Sequence, residues 1–467
     1  MDRLSGLDAS FLYLETHAQL MHVCGVIVLD PTTVPGGYSF ARTQASIEDR
    51  VRDVPAFTRK LRRVPLDLDH PVWVRDRRFD IERHVHRLAL PAPGGYRELM
   101  DLTSHLAGLP LDRSRPLWEM WVIEGYAAGG ADRVVVFSKM HHATVDGVSG
   151  ANLVSHLCSL EPDAEPLQLE EPGTFGGDPG QLALLGRGVV SNLTRPLSAV
   201  RLLAPSATMV TRTIERARAG TAMSAPLTAP RTSFNGTITG RRTIAIADLD
   251  LDDVRAVKRA TGTTVNDVVL AVAGGALRGY LEDRGELPDD SLLATVPVSV
   301  HGSSRHARGA NKVSALFTRL GTDEEDPLER LAALAERNRH AKEHHNAISA
   351  DALQDWAEFA APRTFGLAVR AYANLRLAER HPVVHNLVIS NVPGPPVPLY
   401  FTGARIEALH PLGPVFHGAG LNITVMSNDG KVHVGVIACR ESMPDADDLV
   451  RRFPLELTWL KDAATHP

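Results

Sequence analysis

The stretch Lys139-Met140-His141-His142-Ala143-Thr144-Val145-Asp146-Gly147 sets two adjacent histidines and an Asp-Gly pair in the spacing HHxxxDG, directly after a run of β-branched residues. Imidazole titrates near neutral pH, so a neutral histidine at a strand end can take a proton from a hydroxyl or a thiol. Asp146 can hold the loop through an ion pair or hydrogen bonds. Gly147 allows backbone conformations that other residues resist. Two neighbouring histidines alone are just as much at home in a core with their nitrogens satisfied. The full pattern behind a strand is the more specific signal.

Alternating strands and helices must position these groups. Residues 133–139 read as a buried strand, because Val134, Val135 and Val136 follow a turn-like segment at 128–132. Residues 23–29 read as a second strand, and residues 46–53 as a helix stopped near Pro55. Residues 150–160 carry helical spacing in Leu153, Val154, Leu157 and Leu160. Residues 161–181 are then rich in proline and glycine, as in a linker or an exposed crossover. Residues 182–219 are apolar but dotted with Arg187, Arg195, Arg201, Arg212, Arg216 and Arg218 against Glu215 alone. From about Thr237 the alternation resumes. Helices are expected at 252–260 and 265–281, and strands at 243–247, 293–300, 384–390, 421–427 and 432–438. This order predicts a mixed α/β protein and excludes the all-α and all-β classes. The expected division is an N-terminal domain at 1–160, a linker and arginine-rich crossover at 161–235, and a C-terminal domain at 236–467.

Composition narrows the function classes. The chain has 467 residues, 44% hydrophobic and 22% charged, with net charge −5 at pH 7. That is ordinary for a globular protein with sizeable cores and gives no basic footprint for nucleic acid. Cys24, Cys158 and Cys439 lie far apart, which excludes CxxC motifs and a disulfide scaffold and fits reduced thiols in a cytoplasmic protein. The N-terminal residues lack the basic and apolar regions of a signal peptide, and no run approaches the roughly eighteen apolar residues of a spanning helix. Membrane contact would therefore be peripheral. There is no Walker A lysine motif, no dinucleotide fingerprint, and no Gly-x-Ser-x-Gly spacing around Ser149.

The HHxxxDG pattern resembles the active-site motif of the CoA-dependent acyltransferase superfamily, which includes chloramphenicol acetyltransferase and peptide-synthetase condensation domains. Most of the chain is similar to one branch, the bacterial wax ester synthase/diacylglycerol acyltransferase family. The similarity runs in order through Leu7-Asp8-Ala9-Ser10-Phe11, Arg115-Pro116-Leu117-Trp118-Glu119, the segment Val265-Asn266-Asp267, Ser390-Asn391-Val392-Pro393-Gly394-Pro395 and Gly420-Leu421-Asn422. The resemblance implies two chloramphenicol-acetyltransferase-like domains, each a mixed sheet flanked by helices, with a channel between them. It implies transfer of a long-chain acyl group from CoA to diacylglycerol, and to a long-chain alcohol. His142 would be the general base, with His141, Asp146, Gly147 and Asn266 in support and Asp146 paired with an arginine. Acyl-CoA is then a substrate, and neither a cofactor nor a metal is expected. The implied partners are fatty acyl-CoA and a lipid hydroxyl acceptor, with peripheral contact at the inner membrane surface or lipid droplets and the oligomeric state open. Two other readings stand beside it: a condensation-type enzyme acting on carrier-bound or polyketide substrates, and a lipid-binding homologue without turnover.

Blander roles compete for several of these residues. Thr264 with Asp267 three residues on resembles a helix capping box. Leu117 and Trp118 suit a core, and residues 390–395 suit a sharp turn. His340, His344 and His345 offer an i, i+4 pair on a helix, but no HExxH motif accompanies them and Arg337, Arg339 and Lys342 surround them. A solvated helix face is expected there, and a solvated strand for His84 and His86.

Overall fold

The computed structural model describes residues 2–144, 157–164, 180–191, 226–299, 313–345 and 362–465. Strands are numbered in chain order. A seven-stranded mixed sheet runs in the order β5 (Val85–Ala89), β6 (Trp118–Ala128), β7 (Ala131–His141), β2 (His22–Asp30), β14 (Ala404–Leu412), β13 (Tyr400–Phe401), β8 (Cys158–Ser159). Its β5–β6 pair is parallel and the other pairs are antiparallel. A six-stranded mixed sheet runs β11 (Val313–Arg319), β10 (Leu293–Ser299), β12 (Leu387–Pro393), β15 (Leu421–Asn428), β16 (Lys431–Cys439), β9 (Arg242–Asp250). A small sheet joins β1 (Asp2–Arg3), β4 (Val72–Arg75) and β3 (Arg59–Arg62). The fold is mixed α/β, as expected.

The first sheet draws strands from distant parts of the chain. Two of them, β13 and β14, come from beyond residue 399 and sit between β2 and β8. The β6–β7 hairpin turns on Gly129 and Gly130 at φ 58° and 83°, the left-handed pair that a tight two-residue loop needs. The two sheets meet closely where β16 crosses β14. A Cβ on Gly435 would lie 2.0 Å from the Pro411 carbonyl oxygen, so only glycine lets the backbones approach this far. One core there is shared, with Val26, Trp121 and Phe137 from the first sheet packed with Ile244 and Ile437 from the second. The helix Tyr96–Ala107 covers the free edge of β9: Ser104 Oγ accepts from the Ile244 N–H at 2.9 Å.

The helix Val265–Glu282 lies in the second core and is buried along most of its length. Its start is the capping box read from the sequence. Thr264 Oγ1 accepts from the Asp267 N–H at 3.2 Å, and Asp267 Oδ2 accepts from the Thr264 N–H at 3.1 Å. Asp267 also holds Asn338 of the helix Pro327–His345, at 2.8 Å.

Several local expectations are corrected. The helix expected at 46–53 spans Phe40–Val51, because Ser39 caps it six residues earlier. The strand expected at 384–390 begins at Leu387 and runs through Pro393, so Ser390-Asn391-Val392-Pro393 is strand and not turn. Those residues pair with β15, while β10 pairs only as far as Val388 among the described residues, so the missing Pro393 N–H leaves no ladder bond broken. Cys158–Ser159 is a strand rather than a helix end, drawn out by pairing with Tyr400–Phe401. His84 is buried, not solvated. Its ring stacks on Trp118 at 4.6 Å and Phe79 at 5.3 Å, and its Nδ1 donates to the Trp118 carbonyl at 2.8 Å. Of the arginine-rich segment only residues up to 191 lie within the described residues, and they are helical. Among the described residues no helix is long and apolar enough to cross a membrane.

Candidate active site

The histidine pair terminates β7. His141 is the last strand residue, in register with His22 of β2, and its N–H donates to the Leu117 carbonyl at 2.9 Å. The chain then turns, with the Thr144 N–H donating to the His141 carbonyl at 2.9 Å. The next residue is tied back to β2's approach: the His142 N–H donates to the Met21 carbonyl at 2.8 Å. Asp146 and Gly147 lie outside the described residues.

The two rings are in different electrical situations. His141 is fully buried. Its Nδ1 accepts from the Ala143 N–H at 3.0 Å, and a backbone N–H can only donate. That nitrogen therefore carries no proton, and in the neutral ring the proton sits on Nε2, 3.6 Å from Glu15 Oε2. Burial lowers the His141 pKa although the Glu15 carboxylate opposes it. The lone pair of His141 is thus already engaged. His142 has no such partner: its Nδ1 is buried without a hydrogen bond among the described residues, and its ring lies against Phe11 with centroids 4.2 Å apart. Burial, with His141 beside it, pulls its pKa down to about 4. At neutral pH this imidazole is uncharged and able to accept a proton.

Glu15 is the residue the sequence reading missed. It caps the C-terminus of the helix Gly6–Leu14, which Ser5 starts by accepting from the Asp8 N–H at 3.1 Å. Its carboxylate faces His22 Nε2 at 3.3 Å and His141, and it is clasped by the Arg113 guanidinium. Burial works against its ionisation, but His141, His22 and Arg113 outweigh burial and hold the carboxyl well below the usual carboxylate range. His22 is lowered to about 4, with burial outweighing the pull of Glu15. The only sequence signal for Glu15 was its position just after the Leu7–Phe11 motif.

Three motif segments far apart in sequence therefore meet here. Phe11 covers the His142 ring, Leu117 receives the His141 N–H, and the adjoining Trp118 is locked in the core by its Nε1–H donating to the Phe57 carbonyl at 2.8 Å. The C-terminal motifs meet one another instead. Asn391 Nδ2 lies 3.4 Å from Asn266 Oδ1 as donor to it, and Asn422 Oδ1 accepts from Thr424 Oγ1 at 2.8 Å. Among the described residues no hydrogen bond or ion pair joins Asn266 to either histidine. A separate cleft of about 640 Å³ is lined by Arg231, Tyr280, Arg284, Arg376 and Glu441 and contains neither histidine. Its arginines are occupied: Arg231 by three carbonyls, Arg284 by Asp445 and Asp448, and Arg376 by Glu379.

Comparison with known proteins places the whole chain in one family. Residues 4–269 match the wax ester synthase/diacylglycerol acyltransferase catalytic domain, and residues 309–461 match the C-terminal domain of the same group. A Mycobacterium tuberculosis protein named as a diacylglycerol O-acyltransferase is 47% identical over 464 residues, covering 99% of this chain and 91% of its own. Another from the same organism is 34% identical, covering 97% and 95%. Among solved structures, the wax ester synthase/diacylglycerol acyltransferase of Marinobacter aquaeolei VT8 is 31% identical, covers both chains fully and superposes with a TM-score of 0.70. The starter condensation domain of rhizomide synthetase shares the fold at 13% identity and a TM-score of 0.56, covering 99% and 94%.

Proposed function

The chain belongs to the wax ester synthase/diacylglycerol acyltransferase family and is an acyltransferase, and from that premise we propose that it moves a long-chain fatty acyl group from CoA to diacylglycerol, and to a long-chain alcohol, with His142 as general base. One observation carries the choice of base. The His141 lone pair is spent on the Ala143 N–H, whereas His142 is neutral and uncommitted among the described residues.

In this reaction the acceptor hydroxyl gives its proton to the His142 imidazole as its oxygen attacks the thioester carbonyl. The tetrahedral intermediate collapses, the C–S bond breaks, and the departing CoA thiolate takes the proton back from the imidazolium. No acyl-enzyme and no cofactor are required. General-base help of this kind contributes about 10²–10⁴ in rate. Alignment of the two bound substrates supplies much of the rest. Glu15, Arg113 and His22 act through His141, fixing the corner on which His142 stands. Asp146, Gly147 and Asn266 are assigned supporting roles at the site.

Diacylglycerol and long-chain alcohols are insoluble in water, and we assign the enzyme to the cytoplasm in peripheral contact with membrane or lipid droplet. The helical segment at 181–191 supports this: Leu184 is buried against Val64 and Val72, while Leu182 and Val190 are 84% and 60% exposed. The test of the reaction is release of free CoA thiol from long-chain acyl-CoA with diacylglycerol, a fatty alcohol or an acyl carrier as acceptor. His142→Ala should lose about 10²–10⁴ in rate while the protein stays folded. A folded His142→Ala enzyme at full rate would overturn the assignment of the base. Turnover with the carrier substrate alone would overturn the assignment of the acceptor.

A further inference from the structure

Where the two sheets meet, three side chains from three strands converge: His410 of β14, His433 of β16 and Asp248 of β9. One ligand atom from each lies within 4.8 Å of the others. His433 and Asp248 are direct cross-strand partners in the six-stranded sheet, whereas His410 belongs to the seven-stranded sheet. The two imidazoles are buried, and the Asp248 side chain is 38% exposed.

The hydrogen bonds say how each ring is protonated. His410 Nδ1 lies 3.3 Å from the Val434 carbonyl, which can only accept, so the proton is on Nδ1. The neutral ring then turns the lone pair of Nε2 toward Asp248 Oδ1, 3.7 Å away. Two acceptors face one another there, and something positive between them turns that repulsion into attraction. This is also the arrangement of a metal-binding histidine, whose second nitrogen is tied to a backbone carbonyl that fixes the tautomer. His433 Nδ1 donates to the same carboxylate oxygen at 2.6 Å and can exchange that proton for a cation.

We propose that Asp248, His410 and His433 form a binding site for a divalent cation of the Zn²⁺ type, which clips the two sheets together. Metal–ligand bonds of about 2.0–2.2 Å in tetrahedral array put ligand atoms about 3.3 Å apart. The separations of 2.6 and 3.7 Å from Asp248 Oδ1 to the two rings bracket that value. Two imidazoles and one carboxylate suit Zn²⁺ rather than Ca²⁺ or Mg²⁺, and the exposed side at Asp248 leaves the fourth position to water. Lys431, two residues before His433 on the same face of β16, is exposed, and its flexible stem lets the ammonium turn to solvent.

The site is independent of the acyl-transfer chemistry, and its test reads binding and melting. The full-length protein, stripped with a chelator, is titrated with Zn²⁺ alone against a competing chromophoric chelator. The expected result is one tight equivalent and a melting temperature that rises with Zn²⁺, as binding to the folded state alone requires. Asp248→Asn keeps the shape and an acceptor for His433, and His410→Asn removes the ligand from the other sheet. Each should weaken the tight equivalent at least about tenfold and abolish the melting shift. Binding that is no tighter in the unsubstituted protein than in these two folded variants would overturn the proposal. So would a tight equivalent that leaves the melting temperature unmoved, since the clip joins two sheets.

Discussion

At the end of β7 the interior is crowded with groups that can carry charge: His22, His141, His142 and Glu15 lie in contact or in succession, and the exposed Arg113 clasps Glu15 from outside. Around the helix Val265–Glu282 the interior is almost wholly aliphatic, with Val268, Val272, Ala276 and Leu277 packed on Ile389, Ile423 and Val434. The cap residues Thr264 and Asp267 supply polarity at its first turn, and the buried Arg330–Glu456 ion pair supplies it beside Gly275. Burial serves opposite ends in the two places. In the second core it contributes hydrophobic stabilisation. In the first it holds imidazoles neutral at a stability cost, as is common where chemistry is done. The comparison teaches that substitutions in the aliphatic region should change stability and leave turnover per folded molecule alone, with the reverse near β7.

The largest effect expected is from Gly275→Ala. A Cβ there would lie 2.0 Å from Glu456 Oε2 and 2.4 Å from Arg330 Nη1, forcing apart a buried ion pair that spans 3.2 Å. A loss of about 1–3 kcal/mol is expected by denaturant titration, with kcat per folded enzyme preserved. Loss of kcat at full stability would break the division of labour. Next is Glu15→Gln, which keeps the size and removes the charge that orients His141. Turnover should fall by up to about 10²-fold with KM little changed, because the defect lies in the placement of the base. A change in KM alone would instead put Glu15 among substrate contacts.

The pH dependence follows in size. His142 has its folded pKa lowered to about 4, so the base stays unprotonated down to that pH, and kcat/KM should hold across pH 6.5 to 4 before its acid limb. A limb at pH 6.5 would show an unperturbed histidine. Stability takes the opposite course. The unfolded chain binds these protons from about pH 6.5 downward and the folded protein only near 4, so His22 and His142 make stability fall across that window and level off below it. His142→Ala should make the fall shallower. The smallest effect belongs to Thr264→Ala, which loses one helix cap and about 1 kcal/mol, seen as a shifted denaturation midpoint without kinetic consequence.

Much of this was legible in local sequence. The uninterrupted valines of β7, the Thr264–Asp267 spacing and the burial of Leu117 and Trp118 each follow from short-range chemistry. His84 was misread because flanking Arg83 suggests solvent, while Phe79 and Trp118, which enclose it, lie five residues before and far after it. β14 gave no clear signal, since its burial alternates only through its first half and Pro411 interrupts it. Its partner β2 begins nearly the whole chain away.

The sequence by itself determined the mixed α/β class, the strand that ends in the histidine pair, the caps of the buried helix, and the family through motifs kept in order. Periodicity, turn chemistry and capping act over a few residues, so they can be read without the fold. Only the tertiary structure decided which histidine has its lone pair engaged, that Glu15 and Arg113 stand behind it, and that His410, His433 and Asp248 meet between two sheets. Those facts depend on distances between residues remote in sequence, and on the low dielectric that burial creates once the chain has closed around them.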